Sequence, residues 1–125
     1  MSDRPIDDRG MPEGWPLDAD REITPREVKR GLERGDVLLI DIREPDELVL
    51  AKVDHHLHIP MGEIPSRLND LDADEDTIIA VLCHSGRRSL AVTMLLQQEG
   101  FAGARSVAGG IDLWSVDIDP TIPRY

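Results

Sequence analysis

Two continuous runs rich in β-branched and other apolar residues limit the possible folds of this 125-residue chain more than any other feature. Residues 37–42 read Val-Leu-Leu-Ile-Asp-Ile, and residues 77–82 read Thr-Ile-Ile-Ala-Val-Leu. Neither run alternates apolar with polar residues, as a strand with one solvent-exposed face would. Both are therefore predicted to be parallel strands that are covered on both faces, which requires helices on each side of a sheet.

The segments around these runs alternate between helix and strand signals. Thr24 and Glu27 form a capping-box pattern with Pro25 at the first helical position, and Gly35 stands where that helix should end. The helices are predicted at residues 25–35, 45–51, 64–68, 88–98 and 111–116, and the strands at 22–23, 37–42, 57–59, 77–82 and 105–107. The pattern predicts an α/β fold: an open, mostly parallel five-stranded sheet with helices on both faces. In such sheets, ligands bind beyond the carboxyl ends of the strands.

The penultimate helix is predicted from apolar spacing and a terminating glycine, Gly100. The residues at helical spacing are Ala91, Met94, Leu95 and Gln98.

Length and composition indicate one globular domain preceded by an irregular arm. Residues 1–21 mix Asp, Arg, Pro and Gly without apolar periodicity, and residues 22–125 are predicted to form the domain, with Trp15 and Leu17 fixing the end of the arm to it. The net charge of −11 and the two lysines argue against a nucleic-acid partner. The longest apolar run, residues 78–83, is far shorter than the ~20 residues of a membrane helix, and acids stand where a signal peptide would be apolar. We therefore expect a cytoplasmic protein with no membrane partner.

The single cysteine, Cys83, follows the second central strand and precedes a helix. It excludes an internal disulfide framework and a CxxC metal site. Taken alone, a cysteine there fits a buried core position. The loop that follows favours chemistry instead, because the start of a helix presents inward-turned N–H groups and about half a positive charge that stabilise an anion. The loop residues expected to bind that anion are His84, Ser85, Gly86, Arg87 and Arg88.

The anion at this loop could be the thiolate of Cys83, the substrate, or both in turn. Cysteine-dependent phosphatases place an arginine six positions after the cysteine, where this chain has Ser89, whereas Arg88 comes at five. A loop that is one residue shorter has a tighter ring of amides, which suits a single sulfur atom better than a tetrahedral phosphoryl group.

With these residues in view, the chain resembles the rhodanese family of sulfurtransferases over about residues 22–125. The segments that carry the resemblance are Leu-Ile-Asp-Ile-Arg-Glu at 39–44, His-Ile-Pro at 58–60, Val-Leu-Cys-His-Ser-Gly-Arg-Arg-Ser at 81–89, Ala-Gly-Gly-Ile-Asp-Leu-Trp at 108–114 and the tail at 119–125.

The resemblance implies a double displacement without a cofactor. The Cys83 thiolate takes the outer sulfur of a small anionic donor such as thiosulfate, or of a protein persulfide, and a thiol or cyanide then removes it. The amides of the loop hold the charge of the persulfide, and Arg87 or Arg88 binds the oxygens of the donor. Asp41 and Arg43 correspond to positions near the loop and are expected to orient it, with a buried ion pair or helix cap as the alternative.

Two other functions stay open at this point. One is a sulfur-carrier or regulatory interaction module without turnover, and the other is a cysteine-dependent phosphatase or arsenate reductase, which the loop length disfavours. A metal site is not expected. His56 and His58 would share one face of a strand, but His55 lies on the other face and no third ligand is evident.

Overall fold

The computed structural model describes residues 4–54 and 56–125, which form five strands, four α-helices and two 3-10 helices. The strands are β1 (Glu22–Ile23), β2 (Val37–Asp41), β3 (Leu57–His58), β4 (Ile78–Leu82) and β5 (Ala104–Val107). The α-helices are α1 (Pro25–Arg34), α2 (Pro45–Leu50), α3 (Arg87–Gln98) and α4 (Gly110–Asp117), and the 3-10 helices are Met61–Glu63 and Pro65–Asp70. His55 is outside the described residues.

The sheet confirms the predicted α/β class. Its strand order is β1-β5-β4-β2-β3, and every pairing between these strands is parallel. The helical turn expected at residues 64–68 is present as the second 3-10 helix, Pro65–Asp70, which is separated from the first, Met61–Glu63, by Ile64. Proline at position 65 has no N–H to donate, so it starts the second of these helices rather than continuing the first.

The central strands are almost entirely apolar, apart from Asp41 at the end of β2, because successive residues enter two different cores. On one face, Ile79 and Val81 belong to a buried cluster with Val92 and Leu96 of α3. On the opposite face, Ala80 and Leu82 belong to a second cluster, which includes Val28 of α1 and Trp114 of α4. Helices therefore cover both faces, as the continuous apolar runs predicted.

The buried face of α3 differs from the predicted one. Met94 is 38% exposed, and the buried positions of the helix are Ser89, Val92, Thr93 and Leu96. The prediction followed the apolar residues alone, whereas two small hydroxyl side chains, Ser89 and Thr93, occupy the inner face.

The register of the two central strands brings two loops together. Asp41 at the end of β2 is paired with Leu82 at the end of β4. The residues that follow these strands, Arg43 and Cys83, therefore leave the same edge of the sheet, where parallel α/β sheets bind their ligands.

The arm packs against the side of α4. Met11 is completely buried and forms a small cluster with Ala108 and Leu113, against which Trp15 and Leu17 are partly buried. Within residues 4–54 and 56–125, no helix has the length and apolar character needed to cross a membrane.

Candidate active site

The sulfur of Cys83 takes the place of a helix cap. Gly86 is the N-cap residue of α3, with φ +105°, and it has no side chain to accept the unpaired N–H groups of the first turn. The Cys83 Sγ accepts hydrogen bonds from the N–H of Gly86 at 3.1 Å and of Ser89 at 3.3 Å. These donors and the positive end of the helix favour a negative charge on the sulfur.

Cys83 is at once buried and polar in its contacts. The residue is 1% exposed and belongs to the apolar cluster beneath α3. Its burial therefore agrees with the core position that was one of the two interpretations of the sequence. Its sulfur nevertheless faces the amides of the loop, as its bonds with Gly86 and Ser89 show.

Backbone hydrogen bonds from the start of α4 hold the Cys83 loop in place. The N–H of Ile111 donates to the Cys83 carbonyl at 2.9 Å, and the N–H of Asp112 donates to the His84 carbonyl at 3.1 Å. Gly110 has φ +62°, and a Cβ at this position would overlap the carbonyl of His84. Only glycine allows the two segments to approach so closely.

Arg88 is engaged by a residue that the sequence did not single out, Glu47 of α2. The Nη1 and Nη2 atoms of Arg88 donate to Oε1 and Oε2 of Glu47 at 2.6 and 2.9 Å, which is a bidentate pair. The hydrogen bond with Arg88 lowers the pKa of Glu47 from its ordinary 4.5 to about 2, against the opposing effect of burial. The charge of Arg88 is thus compensated, and its side chain is tied to α2.

Arg87 is placed differently. Its side chain is exposed, and among the described residues it forms neither a hydrogen bond nor an ion pair. Of the two arginines predicted to bind a donor, Arg87 is therefore the one whose guanidinium is available to a ligand.

The predicted pair Asp41 and Arg43 forms a buried ion pair. Both side chains are 0% exposed, and the Nη2 of Arg43 is 2.8 Å from Oδ2 of Asp41. Arg43 also donates to the carbonyls of Glu47 at 3.3 Å and Ala51 at 2.8 Å, so it fixes the helix that holds Arg88. Burial works to lower the pKa of Arg43, but the Asp41 carboxylate and the Tyr125 hydroxyl outweigh it and raise that pKa.

The side chain of Tyr125 joins these groups to the loop. Its hydroxyl accepts from Nη1 of Arg43 at 3.0 Å and donates to Oε2 of Glu47 at 2.7 Å. Its ring stacks on His84 with 4.1 Å between the ring centroids. Burial raises the pKa of Tyr125, and Arg43 opposes that rise.

A cleft of about 550 Å³ opens beside the loop. His84 and Ser85 form its loop side, Tyr125 and Arg124 form its tail side, and Trp15 of the arm also lines it. The cleft provides space for a small molecule next to the loop.

The histidines do not form a metal site with other described side chains. The Nε2 of His58 bonds to the carbonyl of Arg43 at 2.7 Å, and the Nδ1 of His56 bonds to that of Val53 at 2.5 Å. Residues 4–54 and 56–125 contain no group of three or more side chains suited to a metal ion. The remaining candidate, His55, lies outside the described residues.

Sequence reasoning missed three residues of this site: Ser89, Glu47 and Tyr125. Ser89 is three positions after the N-cap of α3, where an N–H needs an acceptor. Its position in the sequence could therefore have predicted a contact with the sulfur. Glu47 and Tyr125 reach the loop only through folding, and neither stands near Cys83 in the chain.

Fold and site together define a class: a parallel α/β domain with a single cysteine in a short loop between a central strand and a helix. The chain belongs to the Rhodanese-like domain family, whose model matches residues 24–117. It is 38% identical over 80 residues to a sulfurtransferase of Allochromatium vinosum, covering 64% of this chain and 73% of that protein.

Longer proteins contain similar sequences. An adenylyltransferase and sulfurtransferase of Zea mays is 31% identical over 127 residues, covering 97% of this chain and 27% of that protein. The chain spans between 26% and 30% of the length of three such curated relatives.

Among solved structures, a rhodanese-related protein of Thermoplasma volcanium superposes with a TM-score of 0.70 at 28% identity, covering 84% of this chain and 99% of that one. The relatives named here are described as sulfurtransferases, and the solved structure as a rhodanese-related protein.

Proposed function

We propose that this protein is a sulfurtransferase that carries a sulfane sulfur as a persulfide on Cys83, taking it from thiosulfate or a similar anionic donor and giving it to a thiol or cyanide. The observation that carries this proposal is the position of the only thiol in the chain, whose sulfur accepts two backbone N–H bonds at the start of α3. Such donors stabilise a sulfur anion before the transfer and during it.

The proposed reaction consists of two displacements, and in each of them one bond to sulfur forms as one S–S bond breaks. The Cys83 thiolate forms a bond to the outer sulfur of thiosulfate, the S–S bond of the donor breaks, and sulfite leaves with the electron pair. An acceptor thiolate or cyanide then bonds to the outer sulfur of the persulfide, and the electron pair of the broken bond returns to Sγ as a thiolate. In this scheme the exposed Arg87 binds the oxygens of the donor, and Arg88 holds the loop against α2 through Glu47.

The position of Ser89 supports sulfur chemistry over phosphate chemistry. The sixth residue after Cys83 is a buried serine whose N–H contacts the sulfur. A cysteine-dependent phosphatase would need a phosphate-binding arginine at that position, and the buried serine leaves no cation there.

The test combines mass spectrometry with turnover. After incubation with thiosulfate, the intact protein is expected to gain the mass of one sulfur atom, and added cyanide is expected to remove it as thiocyanate. Cys83→Ser, which is close to isosteric, is the matched control and should fold without taking up sulfur. An adduct from protein persulfide donors alone would instead indicate a carrier module, and hydrolysis of a phosphate ester without an adduct would refute the proposal.

A further inference from the structure

A pair of buried hydroxyl groups lies against the sulfur of Cys83, and the displacement scheme above does not use it. Ser89 is 0% exposed and Ser106 of β5 is 1% exposed. The Ser89 Oγ is 3.3 Å from the Cys83 Sγ and 2.7 Å from the Ser106 Oγ. The Ser106 Oγ is in turn 3.5 Å from the carbonyl oxygen of Gly86, to which it can donate.

This chain of hydroxyls has two possible directions, because a hydroxyl has one proton and two lone pairs. When Cys83 is a thiol, its S–H donates to Ser89, the Ser89 proton points to Ser106, and the Ser106 proton points to the Gly86 carbonyl. When Cys83 is a thiolate, the sulfur can only accept, so Ser89 donates to it and accepts from Ser106. The reversal needs only rotation of two O–H bonds, and no proton leaves the pair.

We propose that Ser89 is the third hydrogen-bond donor to the Cys83 thiolate. Ser106 is then a positioning residue, which accepts a hydrogen bond from the Ser89 hydroxyl whenever the sulfur is not negative. This inference rests on the proposed function and extends it. In the persulfide the charge lies on the outer sulfur, so the Ser89 hydroxyl stabilises the free thiolate more than the persulfide. Ser89 therefore assists the second displacement, in which the electron pair of the breaking S–S bond returns to Sγ.

The first experiment titrates the thiol by its ultraviolet thiolate absorbance in the full chain without any donor. The signal comes from one residue, because Cys83 is the only cysteine. Ser89→Ala is expected to move the midpoint up by about 1 pH unit, a tenfold change in ionisation, since one hydrogen bond to a charged group is lost. Ser89→Thr keeps the hydroxyl and should restore the midpoint.

Ser106→Ala is the matched control, and the size of its effect separates the two roles. It removes one hydrogen bond of Ser89 in each form, the acceptor in the thiol form and the donor in the thiolate form, so its midpoint should stay nearly in place. An unchanged midpoint in Ser89→Ala, or an equal upward shift in both alanine variants, would overturn the proposal. Circular dichroism and thermal melting confirm that each variant is folded.

The second experiment measures transfer from the loaded protein to cyanide in single turnovers. Ser89→Ala is expected to slow this step about tenfold while the amount of sulfur loaded stays the same. Equal rates in the variant and the parent protein would refute the role of Ser89 in the second displacement. A parent protein that takes up no sulfur would refute the proposed function instead, and the donor-free titration would still decide whether Ser89 stabilises the thiolate.

Discussion

Replacing Asp41 by Asn tests whether the buried ion pair beneath the loop stabilises the domain. The variant keeps the shape of the side chain but leaves the charge of Arg43 buried without its counter-charge. An amide N–H₂ in place of Oδ2 would face the Nη2 of Arg43, now 2.8 Å away, so that two donors oppose each other. Breaking a buried pair in this way costs about 3 kcal/mol or more, because the remaining charge cannot reach water.

We therefore expect Asp41→Asn to lower the free energy of unfolding by about 3 kcal/mol and the melting temperature by roughly 10 °C for a domain of this size. Urea denaturation followed by circular dichroism gives the first value, and calorimetry gives the second. Arg43→Gln and the double variant complete a double-mutant cycle. The double variant should lose about 2 kcal/mol less than the sum of the single changes, since no unpaired charge then stays buried. A loss below about 1 kcal/mol in Asp41→Asn, or strict additivity, would refute the reasoning.

Three further predictions concern the surroundings of the sulfur. The pKa of Glu47 is lowered to about 2 in the folded protein, so its contribution to stability is present above pH 4.5 and is lost as the pH falls towards 2. Glu47→Gln should lower the free energy of unfolding by about 1–2 kcal/mol at neutral pH, allowing for the 34% exposure of Arg88. In acid-unfolding curves this difference between variant and parent should vanish near pH 2, and a difference that stays constant with pH would contradict the prediction. Arg87→Ala should raise the KM for thiosulfate about tenfold with little change in stability. Arg30→Ala, near the opposite edge of the sheet, is the control and should leave the KM unchanged. Equal effects of the two variants would show that Arg87 does not bind the donor. Gly110→Ala should destabilise the protein by about 2 kcal/mol or more in urea unfolding, and a stable variant would show that the loop can yield to α4.

The sheet could be predicted because the relevant signal is local. Residues 37–41 and 78–82 are strands without polar alternation, and both faces are indeed covered. The Cys83 loop was equally readable, since a strand, a cysteine, a glycine and a helix start follow one another within a few positions. In both cases the residues that determine the structure are neighbours in the chain.

The partners of Arg88 and Arg43 could not be predicted in the same way. Arg88 meets Glu47 across 41 positions, and Arg43 meets Tyr125 across 82. No periodicity links such residues, because only the packing of α2 and the tail against the loop brings them together. The buried face of α3 was missed for a related reason: Ser89 lies inside through its contacts with the sulfur and with Ser106 of β5, not through hydrophobicity.

The contacts between α4 and the loop have a consequence for the orientation of peptide groups. In a trans peptide the oxygen and the hydrogen point in opposite directions. By binding the oxygens of residues 83 and 84, α4 turns the hydrogens of residues 84 and 85 away from itself. The orientation of these two peptide groups is thus set by backbone donors of α4, and redesign of that helix would change how the loop binds an anion.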